Sequence, residues 1–238
     1  VATPAIEIAP RVYRIPTLGD FINSYALVDD DEQVTLIDCG LKRAPARIVR
    51  GLAHIGKHPR DVTRIVLTHA HNDHAGGARN LVASTAVDGV AAHHDDAHFI
   101  TTGVMPPRDS TRGLGRLLKR APSGTFDAVA VSQELSDGDE LDIAGGLRVI
   151  HTPGHTPGHI SLLLTDSEVL ITGDAIFNML SRRTWPFAAF CTSFSQTQQT
   201  AQVLADLEYR TAAFTHGPEI RQTGREAVRG FLSKVKSR

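Results

Sequence analysis

Within six residues, His69-Ala70-His71-Asn72-Asp73-His74, the chain places three histidines and an aspartate. They follow Arg64-Ile65-Val66-Leu67-Thr68, a compact apolar stretch that reads as a buried strand. In extended backbone, side chains two apart share a side, so His69 and His71 point together from the carboxyl end of that strand. Asp73 and His74 fall where the chain turns into a helix before Ala75-Gly76-Gly77, which brings them round to the same rim. At this chain's residue frequencies such a pattern arises by chance on the order of 0.002 times. The chain has 12 His and 2 Cys, and imidazole is both the commonest metal ligand and the usual base near neutral pH. Cys39 and Cys191 form no CxxC pair, which argues against a disulfide framework and a thiolate zinc site.

Three further candidates sit just after predicted strands and beside Gly or Pro, where loops gather ligands at a sheet edge. They are His155 in His151-Thr152-Pro153-Gly154-His155-Thr156-Pro157-Gly158-His159, Asp174 in Thr172-Gly173-Asp174, and His216 in Thr215-His216-Gly217. Together with the first cluster they make five His and two Asp. A tetrahedral ion takes three or four protein ligands, so this set is too large for one ion and suits two that share a carboxylate. His159 is a candidate for orienting a ligand or lining the pocket, and His151 reads as structural. His93, His94 and His98, with Asp95 and Asp96, read as decoration at the start of a surface helix.

Motifs for other chemistries are missing: no GxSxG elbow, no GxxxxGK[ST] phosphate loop and no HExxH pair occur. The formal charge of −1 shows no basic excess for nucleic acid, and no apolar run is long enough to span a bilayer. The expected partner is a small-molecule substrate, without nucleic acid or membrane, and a homodimer stays open. Residues 1–16 lack the apolar core of a signal peptide, so a cytoplasmic location is expected. The chain opens on Val rather than Met, which leaves a removed leader open.

Strand patterns over 12–15, 22–28 and 33–37 lead into a helix over 44–55 and the strand at 64–68. Strands over 147–151, 160–164 and 169–172 lead into a helix over 196–207, a strand over 212–215 and a final helix from Gly224. Two such halves predict an α/β fold of two sheets packed face to face with helices outside, in one domain spanning 1–238. A Gly-, Pro- and Arg-rich insertion over 101–125 carries Arg108, Arg112, Arg116, Lys119 and Arg120. It reads as a solvated charged face or as a cap that attracts an anionic substrate. After Asp174, the residues Arg182, Arg183, Trp185, Phe187, Phe190 and Phe194 are candidates for an apolar substrate wall with cationic heads, or for core or dimer contacts.

The set THAHNDHAGG, HTPGHTPGH, TGDAIF and THG resembles the metallo-β-lactamase-fold superfamily, near its glyoxalase II-like and uncharacterised hydrolase branches. The resemblance covers about residues 12–217. It implies an αββα sandwich of two mixed sheets and a metal-dependent hydrolase holding two divalent ions, zinc in the first place, with iron or manganese as substitutes. By the same resemblance His69, His71 and His155 hold one ion, Asp73, His74 and His216 the other, and Asp174 bridges them. Asp38 matches the superfamily's first motif and is expected to orient a ligand histidine. Asp73 and Asp174 are the expected catalytic carboxylates. The implied reaction is hydrolysis of an ester, thioester, lactone or amide-type carbonyl bond. A one-iron persulfide dioxygenase on the same scaffold is the alternative. Homoserine-lactone hydrolases of this fold place a Tyr three residues after the bridging Asp, where this chain has Phe177, and only 22 residues follow His216, which weakens a glutathione-thioester reading.

Overall fold

The computed structural model of the chain describes residues 4–111 and 124–236. Arg112, Arg116, Lys119 and Arg120 of the expected charged insertion lie outside the described residues. Seven strands make the first sheet, bonded in chain order: β1 (Ile6–Ala9), β2 (Val12–Pro16), β3 (Asn23–Val28), β4 (Val34–Ile37), β5 (Val62–Val66), β6 (Val90–His93) and β7 (Val131–Leu135). β1 to β4 form an antiparallel meander, and the steps from β4 to β7 are parallel. The second sheet takes β8 (Glu140–Leu141), β9 (Leu147–His151), β10 (Ile160–Leu164), β11 (Val169–Ile171) and β14 (Thr211–Ala213), with β14 parallel to β11. A separate hairpin joins β12 (Phe177–Met179) to β13 (Arg182–Thr184).

The period-2 alternation of side chains sorts each strand between two cores. Tyr25 and Leu27 of β3 meet Leu147, Val149, Ile160 and Leu162 of the second sheet in a shared inner layer. Their neighbours Ala26 and Val28 face the other way, onto α1 (Pro45–His54) and α3 (Ala78–Val82). In the second sheet Ile150, Leu163, Leu170 and Ala212 turn outward to meet α6 (Gly224–Lys236) through Val228 and Leu232. The layers are therefore helix, sheet, sheet, helix, the αββα sandwich that the sequence pattern implied. α1 forms because Pro45 is preset for a first turn and Ile48 and Leu52 recur on one buried stripe. Gly51 on that stripe lets the helix approach β2: a Cβ there would lie 2.8 Å from the Ile15 side chain.

β1, β6, β7, β8 and the β12–β13 hairpin have no strong strand signal in the sequence. β6 reads Val-Ala-Ala-His, and β7 alternates poorly because it is a largely exposed edge. The helix expected over 196–207 is α5 (Phe194–Thr200) followed by a tighter 3-10 stretch, Ala201–Ala205. Among the described residues no helix is long and apolar enough to cross a membrane.

The inner layer depends on close packing between the sheets. Leu162 is fully buried there, so Leu162→Ala is expected to cost about 2–5 kcal/mol of unfolding free energy. Urea denaturation measures it, and a loss under ~1 kcal/mol would show an interlayer that collapses easily.

Candidate metal centre

β5 runs into Thr68, and the segment after it delivers His69, His71, Asp73 and His74 at the start of α2 (Asn72–Ala75). His155 comes from the β9–β10 loop, Asp174 from the turn after β11, and His216 from the loop after β14. The structure brings all seven together. Ligand-type atoms approach within 4.8 Å of one another in three groups: His69, His71 and His155; His69, His74 and Asp174; and Asp73, His74 and His216. Asp174 links them, with Oδ2 3.0 Å from His155 Nε2 and 3.3 Å from His216 Nε2, and Oδ1 3.3 Å from His74 Nε2.

The outward nitrogens of these rings are held by other groups. Asp38, just after β4, accepts Thr68 N–H on Oδ1 at 2.8 Å, and on Oδ2 the Thr68 hydroxyl at 2.8 Å and His74 Nδ1–H at 2.8 Å. Thr68 Oγ1 in turn accepts His69 Nδ1–H at 3.0 Å. Both rings are thus turned with Nε2 inward. Among the described residues, His69 Nε2 and His74 Nε2 are buried without a hydrogen bond. Buried ring nitrogens with no hydrogen bond are costly, and two of them aimed at one carboxylate suit a cation, whether a proton or a metal ion. His216 Nδ1–H donates to Phe21 O at 2.6 Å, and its loop is clamped by Asn23, whose amide reaches Phe214 O and Gly217 O at 3.0 and 2.8 Å. His159, flagged as a candidate orienting residue, accepts Asp174 N–H on Nε2 at 2.7 Å and donates from Nδ1 to Thr152 O at 3.0 Å. Gly173, at φ +53°, makes this turn possible, because a Cβ there would sit 2.6 Å from His159 Nε2.

Electrostatics point the same way. Burial, reinforced by neighbouring rings, lowers His69 and His71 well below the usual imidazole pKa. It opposes charge on His74, His155 and His216 too, but there Asp174 outweighs it; His155 rises to about 9 and His216 to about 10. Asp73 and Asp174 stay ionised against burial because His74 and His216 hold both carboxyls down. Buried carboxylates of this kind need compensating positive charge, as protons on imidazole or as bound cations.

Two residues with no motif signal complete the support. Asp96 of α4 (His94–Thr102), expected on the surface, is fully buried. Its Oδ2 accepts Ala70 N–H at 2.8 Å and the Thr156 hydroxyl at 2.6 Å, and its Oδ1 accepts Gly158 N–H at 2.7 Å. One carboxylate thus ties the His69–His71 segment to the His155 loop. Cys191 is buried with Sγ 3.5 Å from His155 Nδ1. His93 is buried as well, stacked on His151 at 3.9 Å and His94 at 4.2 Å, while His94, Asp95 and His98 are exposed. His93, His94 and Asp95 form a fourth group of ligand-type atoms within 4.8 Å of one another, with His94 and Asp95 exposed.

A cavity of about 490 Å³ opens over the centre, with His71, Asp73, His155, Asp174 and His216 at its floor. Phe177, Phe187, Phe190 and Arg108 line it. Trp185 does not: its ring packs on Phe231 of α6, 4.8 Å away, because the chain turns it from the cavity into the outer core. Arg182 and Arg183 lie on β13, away from the cavity lining. Phe194 starts α5 and is likewise outside that lining.

A family model described as the metallo-beta-lactamase superfamily matches residues 18–216. The chain belongs to the metallo-beta-lactamase superfamily. As a member of that superfamily it is a metal-dependent hydrolase, and its clustered His and Asp residues are groups that can hold metal. Among relatives, the uncharacterized protein YobT of Bacillus subtilis is 30% identical over 90% of this chain and 91% of its own length. Hydroxyacylglutathione hydrolase GloC of Haemophilus influenzae is 26% identical over 68% of this chain and 70% of its own. A solved metallo-beta-lactamase family protein from Thermus thermophilus superposes with a TM-score of 0.74 at 25% identity, covering 97% of this chain and 81% of that one.

The bonds of Asp96 are a testable element of this superfamily site. Asp96→Asn puts an amide N–H against backbone donors and is expected to weaken zinc affinity about 10–100-fold. Competition with a chromophoric chelator measures it, and wild-type affinity in the folded variant would mean the two loops hold their own geometry.

Proposed function

We propose that the chain is a binuclear hydrolase of small carbonyl substrates. His69, His71 and His155 would hold one divalent ion, Asp73, His74 and His216 the second, and Asp174 would lie between them. The observation that carries this is the pair of inward Nε2 atoms of His69 and His74, buried without a hydrogen bond among the described residues and 3.9 and 3.3 Å from the Asp174 carboxylate oxygens. The donor set is imidazole and carboxylate with no thiolate, which suits zinc and also accommodates iron or manganese. The chain is taken as one domain, with the 101–125 insertion contributing Met105, Arg108 and Gly124 beside the cavity.

When bound, such ions would acidify a water, polarise a carbonyl and neutralise developing negative charge. The chain's own groups do the rest. Asp174, fixed by His159 at its backbone N–H and by the Thr215 hydroxyl at Oδ1, 2.7 Å away, keeps the two ligand groups in register. Asp73 faces the cavity and is held ionised, so it can accept a proton from water and return it to the departing heteroatom. The balance is simple: a C–O bond forms from water, the bond from the carbonyl carbon to O, S or N breaks, and one proton ends on the leaving group. The name of the Haemophilus relative, a hydroxyacylglutathione hydrolase, supports a hydrolytic reading of this kind.

The one-iron dioxygenase alternative has no use for the second group of ligands, Asp73, His74 and His216. Metal analysis of the purified protein is expected to find two ions per chain, with zinc predominating; a single iron would favour dioxygenation. His69→Ala and Asp174→Ala are each expected to lower metal content and to reduce kcat/KM at least 1000-fold, about 4 kcal/mol of transition-state stabilisation. Full turnover by chelator-stripped protein would falsify the proposal.

A further inference from the structure

The walls of the cavity above the metal centre differ in kind from its floor. Phe21, Phe177, Met179, Phe187 and Phe190 line it with apolar surface. Three of these are left open in the free chain, Phe21 at 53%, Phe187 at 62% and Phe190 at 46% exposure. Single exposed apolar side chains are ordinary, but three aromatic ones round the mouth of a polar site are surface held ready for an apolar ligand. Phe187 and Phe190 sit edge to face, 6.3 Å apart, in a short turn whose end at Cys191 is tied to the rest of the wall.

Arg108 is the one arginine or lysine among the described residues that line this cavity. Among the described residues its guanidinium takes part in no hydrogen bond and no ion pair. Its backbone is nevertheless pinned on both sides to the aromatic segment. Pro107 O accepts the Thr192 hydroxyl at 2.9 Å, Asp109 N–H donates to Cys191 O at 2.5 Å, and Asp109 Oδ2 accepts Phe194 N–H at 3.2 Å. An arginine on anchored backbone, unpaired and facing a water-accessible apolar cavity, is placed to receive an anion, for which its planar fork of donors is suited.

We infer that the substrate pairs an extended apolar acyl or aryl group, lodged among Phe21, Phe177, Phe187 and Phe190, with one anionic group received by Arg108, on either side of the scissile carbonyl. The chemistry of the bond broken rests on the hydrolase reading above; the recognition rests on the cavity alone. Carboxylate, sulfonate and phosphate share the charge that Arg108 selects. A cavity of this volume takes a ligand of ordinary drug size, in which a handful of placed polar groups set orientation and the apolar walls supply affinity.

The test uses zinc-loaded full-length protein and thioesters with acetyl, hexanoyl and decanoyl groups, each on an anionic thiol (3-mercaptopropionate) and a neutral one (2-mercaptoethanol), with the matching aryl esters and lactones alongside. kcat/KM is expected to rise at least tenfold from acetyl to decanoyl and to favour the anionic series at least tenfold at low salt. Arg108→Ala should bring the anionic-to-neutral ratio close to one, Arg108→Lys should keep part of it, and Phe187→Ser should flatten the chain-length series. A flat series in the wild type, or an unchanged ratio in Arg108→Ala, overturns the inference while leaving hydrolysis intact. Calorimetric binding of octanesulfonate against methanesulfonate reads recognition without turnover. If none of the esters, thioesters or lactones is cleaved but octanesulfonate binds tenfold tighter than methanesulfonate in an Arg108-dependent way, the hydrolase reading fails and the recognition stands. Equal weak binding of both sulfonates overturns the recognition.

Discussion

Three donors converge on the Asp38 carboxylate, and much of the site follows from that saturation. With Thr68 N–H, Thr68 Oγ1–H and His74 Nδ1–H all turned toward it, neither His74 nor His69 can rotate without leaving a buried donor unmatched. Asp38 itself sits at φ +60°, a left-handed conformation that a non-glycine residue adopts only under constraint. The backbone strain is offset by the bonds the side chain then makes. What remains on the inner side is a pair of nitrogens that face the Asp174 carboxylate and the other imidazoles of the cluster.

The rest of the architecture brings the other ligands to that point. β4 and β5 are parallel neighbours in one sheet, so Asp38 and Thr68 leave adjacent strands at the same edge. β11 and β14 are parallel neighbours in the other sheet, so Asp174 and His216 do the same. Cross-sheet ties fix the two edges against each other: Ile160 N–H donates to Thr68 O, and Asn23 N–H donates to Thr215 O. Ligands from two sheets thus meet across the sandwich, as at the strand ends of other layered α/β folds.

That these candidate ligands would converge was legible because the signal is local: His69 to His74 lie within six residues, and His155, Asp174 and His216 each follow a recognisable strand beside Gly or Pro. Two packed sheets with helices outside were legible from two runs of strand patterns that each lead into helix and strand, and the αββα order from the resemblance of the motifs. Asp96 was not legible. Its role depends on α4 passing over two loops far away in sequence, and nothing in His93-His94-Asp95-Asp96 separates the buried carboxylate from its exposed neighbour Asp95. Trp185 failed in the opposite way: four aromatics close together look like one surface, but Phe187 and Phe190 face the cavity while Trp185 turns onto Phe231 and Phe194 opens α5. Direction of a side chain out of an irregular loop is set by what packs against it, which spacing does not encode.

Asp96 makes the segment bearing His69 and His71 and the loop bearing His155 into one braced unit anchored on α4. The aromatic and cationic walls come from other stretches of chain, around residues 18–22, 105–108 and 177–190, whose side chains carry none of that bracing. Substitution at Phe187 or Arg108 therefore leaves every bond of Asp96 in place, so the mouth of the cavity can be reshaped while its floor keeps its geometry.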